Sequence, residues 1–165
     1  MNMEFPKRKD IRLKEYDYDS AGAYFITICT ANRKHLLSKI NPVGAGVLDR
    51  PFVELHPHGV IADKYIRQMN DYYNHLSVDA YVVMPNHVHL LIRIHSDGRS
   101  GTPAPTKGNS AIARFVSALK RFCNKEYGEN IWQARFHDHV IRDENDLIGA
   151  INYIENNPYR WIDKS

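Results

Sequence analysis

Residues 81–91 read YVVMPNHVHLL, and this stretch decides the fold. It joins two apolar runs, 78–84 and 88–94, through a short polar connection, which is typical of adjacent antiparallel strands. In the second run the even positions are all apolar, and a strand sends alternate side chains to opposite faces. His87 and His89 occupy odd positions, so we expect both imidazoles on one face of the sheet, the face that does not carry the core.

Hydrophobic periodicity predicts the remaining elements on both sides of this hairpin. We expect a central strand over 24–30, a loop or hairpin over 38–57 with a short strand near 52–55, helices over 59–75, from Ser110 onward and over 144–157, and a strand over 131–141. The order strand, helix, strand, strand, helix, strand, helix predicts an α+β fold. In this fold a ferredoxin-like antiparallel sheet carries helices packed mainly on one face.

Length and composition exclude several classes of protein. A chain of 165 residues has the size of one domain, so we expect a single domain over 1–165, with a basic N-terminal arm over 1–20 and a flexible loop over 96–109. Its two cysteines lie far apart in apolar segments, which excludes a zinc ribbon and fits buried thiols. No apolar run of membrane-spanning length and no hydrophobic leader occurs, so we expect a cytoplasmic protein with no membrane partner.

A pair of histidines two residues apart on a strand can hold one cation, because the two imidazoles share a face and neutral imidazole is a common metal ligand. The chain contains three such pairs: His56/His58, His87/His89 and His137/His139. Capping or solvent exposure explains the first pair, which lies in a loop before a helix. The third pair is the rival candidate for a functional site, because its imidazoles could support the metal ligands or contact substrate. A polar solvent face is the alternative for His87 and His89.

The last predicted helix carries two polar groups away from its apolar stripe. Within about 60° of Ile151 on a helical wheel, that stripe consists of Leu147, Ile148 and Ile154. Tyr153 and Asn157 fall at about 200° and 240°, one turn apart on a common side. A tyrosine exposed at the surface, or packed by its ring, is the alternative to a functional one.

These segments together resemble a known family. Residues 81–91 are similar to the signature of the HUH single-tyrosine transposases of bacterial insertion sequences, in which U is a hydrophobic residue. Residues 132–136 with His139, and residues 152–158, are similar to the later motifs of the REP-associated branch of that family. Residues 8–30 resemble the start of the same branch. The resemblance covers most of the chain, and the motifs occur in the expected order.

The resemblance implies the HUH endonuclease fold and a metal-dependent cleavage of single-stranded DNA. It gives Tyr153 as the nucleophile, His87 and His89 as metal ligands, and Asn157 as the third ligand. A tyrosine hydroxyl ionises only near pH 10 and needs help to lose its proton, which a divalent metal, Mg²⁺ or Mn²⁺, supplies at the phosphate. The implied product is a 5′-phosphotyrosine. Because that bond keeps the energy of the broken phosphodiester, rejoining needs no nucleotide cofactor.

Single-stranded or hairpin DNA is the partner that the resemblance implies. The net charge of +3 is only mildly basic, but cations cluster in the predicted second helix. Candidate phosphate contacts there are Arg114, Lys120, Arg121 and Lys125, although basic runs are as often solvated faces. Relatives work as dimers or as monomers, so a homodimer stays open.

Two other functions fit the same residues. One is a non-catalytic, domesticated protein that binds single-stranded or hairpin DNA and has lost cleavage. The other is a metal-dependent phosphohydrolase that uses activated water, which predicts turnover without any covalent adduct between protein and DNA. Cleavage of hairpin oligonucleotides in the presence of manganese distinguishes the first from a transposase.

Overall fold

The computed structural model of the chain describes residues 22–44, 50–95 and 111–164. The predicted N-terminal arm, the predicted loop over 96–109 and the Ser110 cap lie outside these residues. Among the described helices, none has both the length and the apolar character that a membrane crossing requires.

The described residues form an antiparallel sheet, a small hairpin and three α-helices. In chain order the elements are β1 (Gly22–Cys29), β2 (Ser38–Asn41), β3 (Phe52–Leu55), α1 (Pro57–Tyr72), β4 (Leu76–Val83), β5 (His87–Ile94), α2 (Ala111–Tyr127), β6 (His137–Val140) and α3 (Glu144–Asp163). The sheet has the strand order β4-β5-β1-β6, and β2 pairs with β3 separately. This arrangement confirms the predicted α+β class with an antiparallel sheet.

Strand β1 is central, and its alternating side chains serve two different cores. The larger core lies between the sheet and the helices α1 and α2, and its fully buried members include Tyr24, Ile26, Leu90, Ile92, Ile112 and Phe115. On the other face, Phe25 and Leu91 pack against Ala150 and Ile154 of α3. Two helices therefore cover one face, as predicted, while α3 covers the face that we expected to carry no core.

Strand β6 is much shorter than the predicted strand over 131–141. Its four residues pair with the middle of β1, and the preceding segment follows β1 only through separate contacts. Thr30 and Trp132 form an isolated bridge, and the Gln133 N–H donates to the carbonyl oxygen of Cys29 at 2.9 Å. The prediction joined into one strand two short segments that contact β1 separately.

Helix α3 begins as predicted and ends later than predicted. Asp143 is the N-cap and accepts a hydrogen bond from the Asp146 N–H at 2.8 Å. The predicted end at Asn157 is wrong, because the helix continues through Pro158 to Asp163. A proline inside a helix removes one backbone hydrogen bond. The extension packs the Trp161 ring 5.2 Å from the His35 ring, centroid to centroid, and these contacts offset that loss.

Candidate active site

His87 and His89 lie side by side on β5 beneath α3. Their ring centroids are 4.5 Å apart, and the two residues are only 9% and 6% exposed. Across β1, their register partners are Cys29 and Thr27. The shared face predicted from the sequence is confirmed. The alternative of a polar solvent face is wrong, because α3 buries both imidazoles.

The Nδ1 atoms of both imidazoles are held by neighbouring side chains. The Nδ1–H of His87 donates to Oδ1 of Asn86 at 2.6 Å, since an amide oxygen only accepts. The Nδ1 atom of His89 lies 2.8 Å from the Thr27 hydroxyl. A metal-ligating histidine in proteins is held at its other ring nitrogen in this way, which fixes the ring and its tautomer. Nδ1 of each ring is therefore engaged, and Nε2 is the nitrogen through which either ring would bind a ligand.

Burial keeps these imidazoles neutral. It lowers the pKa of His87 to about 4, and the positive charge of Arg33 lowers it further, while a hydrogen bond with the Asn157 side chain acts in the opposite direction. Burial also lowers the pKa of His89 well below 6.5, with smaller contributions from His87 and Arg33. Near pH 7 both rings are in the uncharged form that binds metal ions.

Tyr153 reaches this pair from α3. Its ring centroid lies 5.3 Å from that of His89 and 5.7 Å from that of Phe25, in edge-to-face contacts. The Arg160 guanidinium lies 4.9 Å from the centroid of the Tyr153 ring. The phenol ring therefore contacts both an imidazole of the sheet and a cation of its own helix.

Asn157 lies one turn after Tyr153 and is 5% exposed. Its Nδ2 donates to the Tyr153 carbonyl oxygen at 3.3 Å, and its side chain is also hydrogen-bonded to His87. The structure thus brings together all four residues proposed for the catalytic site, and a single chain supplies them. Within the described ranges no group of three or more His, Cys, Asp or Glu side chains is arranged to hold a metal. The candidate donors at this site are two imidazoles and an amide.

The apolar stripe predicted for α3 is wrong at one position. Ile148 is 49% exposed, whereas Ala150, Ile154 and Asn157 are buried. The buried side of the helix is therefore rotated toward Asn157 and includes the partly buried Tyr153. The cause lies in the sheet, because the surface that receives α3 contains imidazoles as well as apolar side chains.

The rival pair His137/His139 lies on β6. His139 Nε2 contacts Oδ1 of Asp146 at 2.9 Å, and the Arg142 N–H donates to Oδ2 of the same carboxylate at 3.0 Å, so this histidine connects β6 to the first turn of α3. His137 is the register partner of Thr27 and therefore shares the face of His89. Its predicted contact with substrate stays a prediction.

The four basic candidates lie on α2, across the sheet from Tyr153. Arg114, Arg121 and Lys125 are exposed. Lys120 instead donates from Nζ to the Gln133 carbonyl oxygen at 2.7 Å, and burial lowers its pKa. The structure therefore separates these cations from the catalytic face.

Sequence reasoning missed the residues that contact the proposed catalytic side chains. Thr27 lies on the same face of β1 as Phe25. Its pairing with His89, however, depends on a strand register that the sequence does not reveal. Asn86 stands next to His87 in the signature and could have been found there. Arg160 lies beyond the predicted end of the last helix and was missed for that reason.

Comparisons with known proteins identify relatives in sequence and in structure. No family model matches the chain. It is 30% identical to a Haemophilus influenzae protein described as uncharacterized, over 93% of this chain and 89% of that protein. It is 24% identical to the REP-associated tyrosine transposase of Escherichia coli, over 88% of this chain and 72% of that protein. The solved structure of a REP-associated tyrosine transposase bound to a REP hairpin has the same fold, with a TM-score of 0.61 and 21% identity over 90% of this chain and 73% of that one.

Proposed function

The chain belongs to the family of REP-associated tyrosine transposases, and on this premise we propose a specific reaction for it. The protein is a single-stranded DNA endonuclease and strand transferase that works through a 5′-phosphotyrosine intermediate with a divalent metal. Its role is DNA transposition or the processing of repeat hairpins. The observation that carries this proposal is the contact between the Tyr153 and His89 rings, with centroids 5.3 Å apart.

Tyr153 acts as the nucleophile in this proposal. Its hydroxyl oxygen loses a proton and attacks the phosphorus of the scissile phosphodiester, forming a phosphotyrosyl bond. The bond from phosphorus to the 3′ oxygen breaks, and that oxygen takes up a proton to become a free 3′-hydroxyl. Attack by a 3′-hydroxyl on the phosphotyrosine reverses the step, so strand joining needs no nucleotide cofactor.

His87, His89 and Asn157 would hold the divalent cation. The two imidazoles are neutral and would bind through Nε2, and Asn157, whose side chain is hydrogen-bonded to His87, would add an amide oxygen, a donor that suits Mg²⁺ or Mn²⁺. When bound, the cation offsets negative charge that develops on the phosphate. Three protein donors leave positions for substrate and water, unlike a closed structural site.

Arg160 supports the nucleophile from its own helix. Its guanidinium lies 4.9 Å from the centroid of the Tyr153 ring, so a positive charge stands over the phenol ring that becomes negative during attack. The same charge attracts the anionic phosphate toward Tyr153. Arg160 is thus proposed to place substrate and to stabilise the phenolate.

Hairpin DNA is the proposed partner. The supporting observations are the solved structure of a relative bound to a REP hairpin and the exposed cations Arg114, Arg121 and Lys125 on α2. Lys120 is proposed only as a weaker contact, because its ammonium is already bonded to the Gln133 carbonyl oxygen. Association into a homodimer stays a prediction.

Replacement of Tyr153 by phenylalanine tests the proposal. A labelled stem-loop DNA with manganese should yield a covalent adduct with the natural chain on a denaturing gel, and none with Tyr153→Phe or after chelation. Binding of the uncleaved DNA should stay within about twofold, because the ring remains. Tyr159→Phe, at a tyrosine 41% exposed on the same helix, is the control that keeps the adduct.

Other outcomes would identify other functions. An adduct that persists in Tyr153→Phe would show that another residue is the nucleophile. Metal-dependent turnover without an adduct would indicate a phosphohydrolase. DNA binding with no cleavage under any metal would indicate a non-catalytic binding protein.

A further inference from the structure

The outer surface of α1 and α2 carries two adjoining clefts separated by Tyr72. Tyr72 is the last residue of α1 and is 64% exposed. One cleft has a volume of about 340 Å³ and includes Tyr65, Gln68, Asp71 and Phe122 in its lining. The other has a volume of about 300 Å³ and includes Tyr73, Arg114, Ser117 and Arg121 in its lining. Tyr72 lines both clefts.

The first cleft has aromatic walls and a polar edge. Tyr65 stacks on Phe122 with ring centroids 5.7 Å apart, and Tyr72 meets Phe122 edge to face at 5.9 Å. Such an aromatic surface suits a flat ring that stacks on the exposed Tyr72. The Gln68 amide and the Asp71 carboxylate add hydrogen-bonding groups, and the carboxylate disfavours a phosphate in this cleft while accepting from an amino group.

The second cleft is basic. Among the described residues that line it there is no carboxylate, and Arg114 and Arg121 are both exposed. These two arginines and Lys125 fall within about 40° of one another on a helical wheel, so they form one stripe of about 16 Å along α2. The Arg121 guanidinium also lies 5.5 Å from the Phe122 ring centroid, which joins the cationic stripe to the aromatic cleft.

We propose that Tyr72 and its two clefts bind an unpaired nucleotide of the DNA. The base stacks on the exposed ring of Tyr72 and meets Phe122 edge to face in the aromatic cleft, and the flanking phosphates bind Arg114 and Arg121. This choice of ligand rests on the proposed function, and it is favoured by the division of the surface into an aromatic and a cationic half, which matches a base and its phosphate. The site lies across the sheet from Tyr153, so it holds DNA at a distance from the cleavage point.

Equilibrium binding tests this site without any cleavage. In a Tyr153→Phe background, a stem-loop with an unpaired tail is compared with the same stem without the tail. Tyr72→Leu should weaken binding of the tailed DNA by about 5- to 100-fold, the usual loss for one stacked base, and should leave the blunt stem within about twofold. Tyr72→Trp should retain the affinity, and Val60→Ser, at an exposed position of the same helix, should have no effect.

Photocrosslinking supplies a second measurement. An iodinated pyrimidine in the tail should crosslink to a peptide that contains Tyr72 or Phe122, and Arg114→Gln with Arg121→Gln should lower the yield. Unchanged affinity of Tyr72→Leu for tailed DNA would overturn the inference. A change in the sedimentation of the DNA-free protein in Tyr72→Leu would also overturn it, because the surface would then be a protein interface.

The two proposals fail in different ways. If the natural chain forms the covalent adduct but Tyr72→Leu binds tailed DNA normally, only the nucleotide site is wrong. If Tyr72→Leu loses affinity for tailed DNA while the natural chain never forms an adduct, the nucleotide site stands and the proposed cleavage is wrong.

Discussion

The two faces of the sheet are built from alternate residues of the same strands, yet they differ in chemistry. Under α1 and α2 the buried side chains of β5, such as Leu90 and Ile92, are apolar and join a large core. Under α3 the alternate positions carry His87 and His89 beside a small apolar cluster. Burying a polar group costs free energy unless it is hydrogen-bonded. Parity along a strand thus separates the residues of the large core from the proposed metal ligands.

The largest expected effect on the free energy of unfolding comes from shortening two adjacent leucines that belong to different cores. Leu90 and Leu91 are 0% and 1% exposed, carry the same side chain and face opposite helices. Leucine to alanine changes cost about 2 to 5 kcal/mol, and less where neighbours can collapse into the cavity. We expect Leu90→Ala near the upper end, about 4 kcal/mol, and Leu91→Ala near the lower end, about 2 kcal/mol. Urea denaturation measures both, and equal losses would contradict the difference between the faces.

Acid should destabilise the protein through the buried histidines. His87 has a pKa of about 4 in the folded chain against 6.5 when unfolded, so between these values the unfolded state binds more protons. Stability is therefore complete above pH 6.5 and falls as the pH drops toward 4. The loss from His87 is about 3 kcal/mol, from 1.36 kcal/mol per pH unit.

Denaturation between pH 4 and 7 measures this loss. His87→Gln combined with His89→Gln should flatten the part of the slope that comes from histidine, while His95→Gln, at an exposed position, should leave the slope in place. A slope that survives in the double variant would show that other groups cause it.

Thr27 should orient His89, with a smaller effect on stability. Thr27→Val removes the hydroxyl 2.8 Å from Nδ1 of His89 and should cost about 1 to 2 kcal/mol. Because such contacts orient metal ligands, affinity for Mn²⁺ should fall about 10- to 100-fold by calorimetry. Thr27→Ser keeps a hydroxyl and should restore metal binding. Loss of stability with unchanged affinity for Mn²⁺ would assign Thr27 a purely structural role.

The smallest effects should distinguish two lysines of α2. Lys120→Met removes the hydrogen bond to the Gln133 carbonyl oxygen and should cost about 1 kcal/mol of stability. Lys125→Met, at an exposed position, should change stability by less than about 0.5 kcal/mol. If Lys125 contacts a phosphate, its loss should lower the salt dependence of DNA binding by about one unit of slope. A loss of stability in Lys125→Met together with a lower salt dependence in Lys120→Met would contradict this assignment.

Much of the fold could be predicted from local patterns. Alternation along 88–94 placed both histidines on one face, and the spacing of Tyr153 and Asn157 placed them one turn apart. These features depend only on the repeat of a strand or a helix. These two features are therefore the same in the folded chain as in the prediction.

The rest depends on what each element packs against. A helical wheel assumes that the helix packs against an apolar surface, so it placed Ile148 in the core. The sheet instead presents imidazoles to α3, and Asn157 is buried. The end of α3 was misplaced because the contacts of Trp161 beyond Pro158 are tertiary. The contact of Thr27 with His89 depends on the register between two strands distant in sequence. None of this information is local.

The central position of β1 links assembly of the active centre to completion of folding. A slip of β1 by one residue would turn Thr27 away from His89 and would also expel Tyr24 and Ile26 from their core. An incomplete chain leaving the ribosome lacks α3 and so has no phenol beside the imidazoles. Strand β1 therefore couples the two events, because Tyr153 and the imidazoles meet only in chains that have already packed both cores.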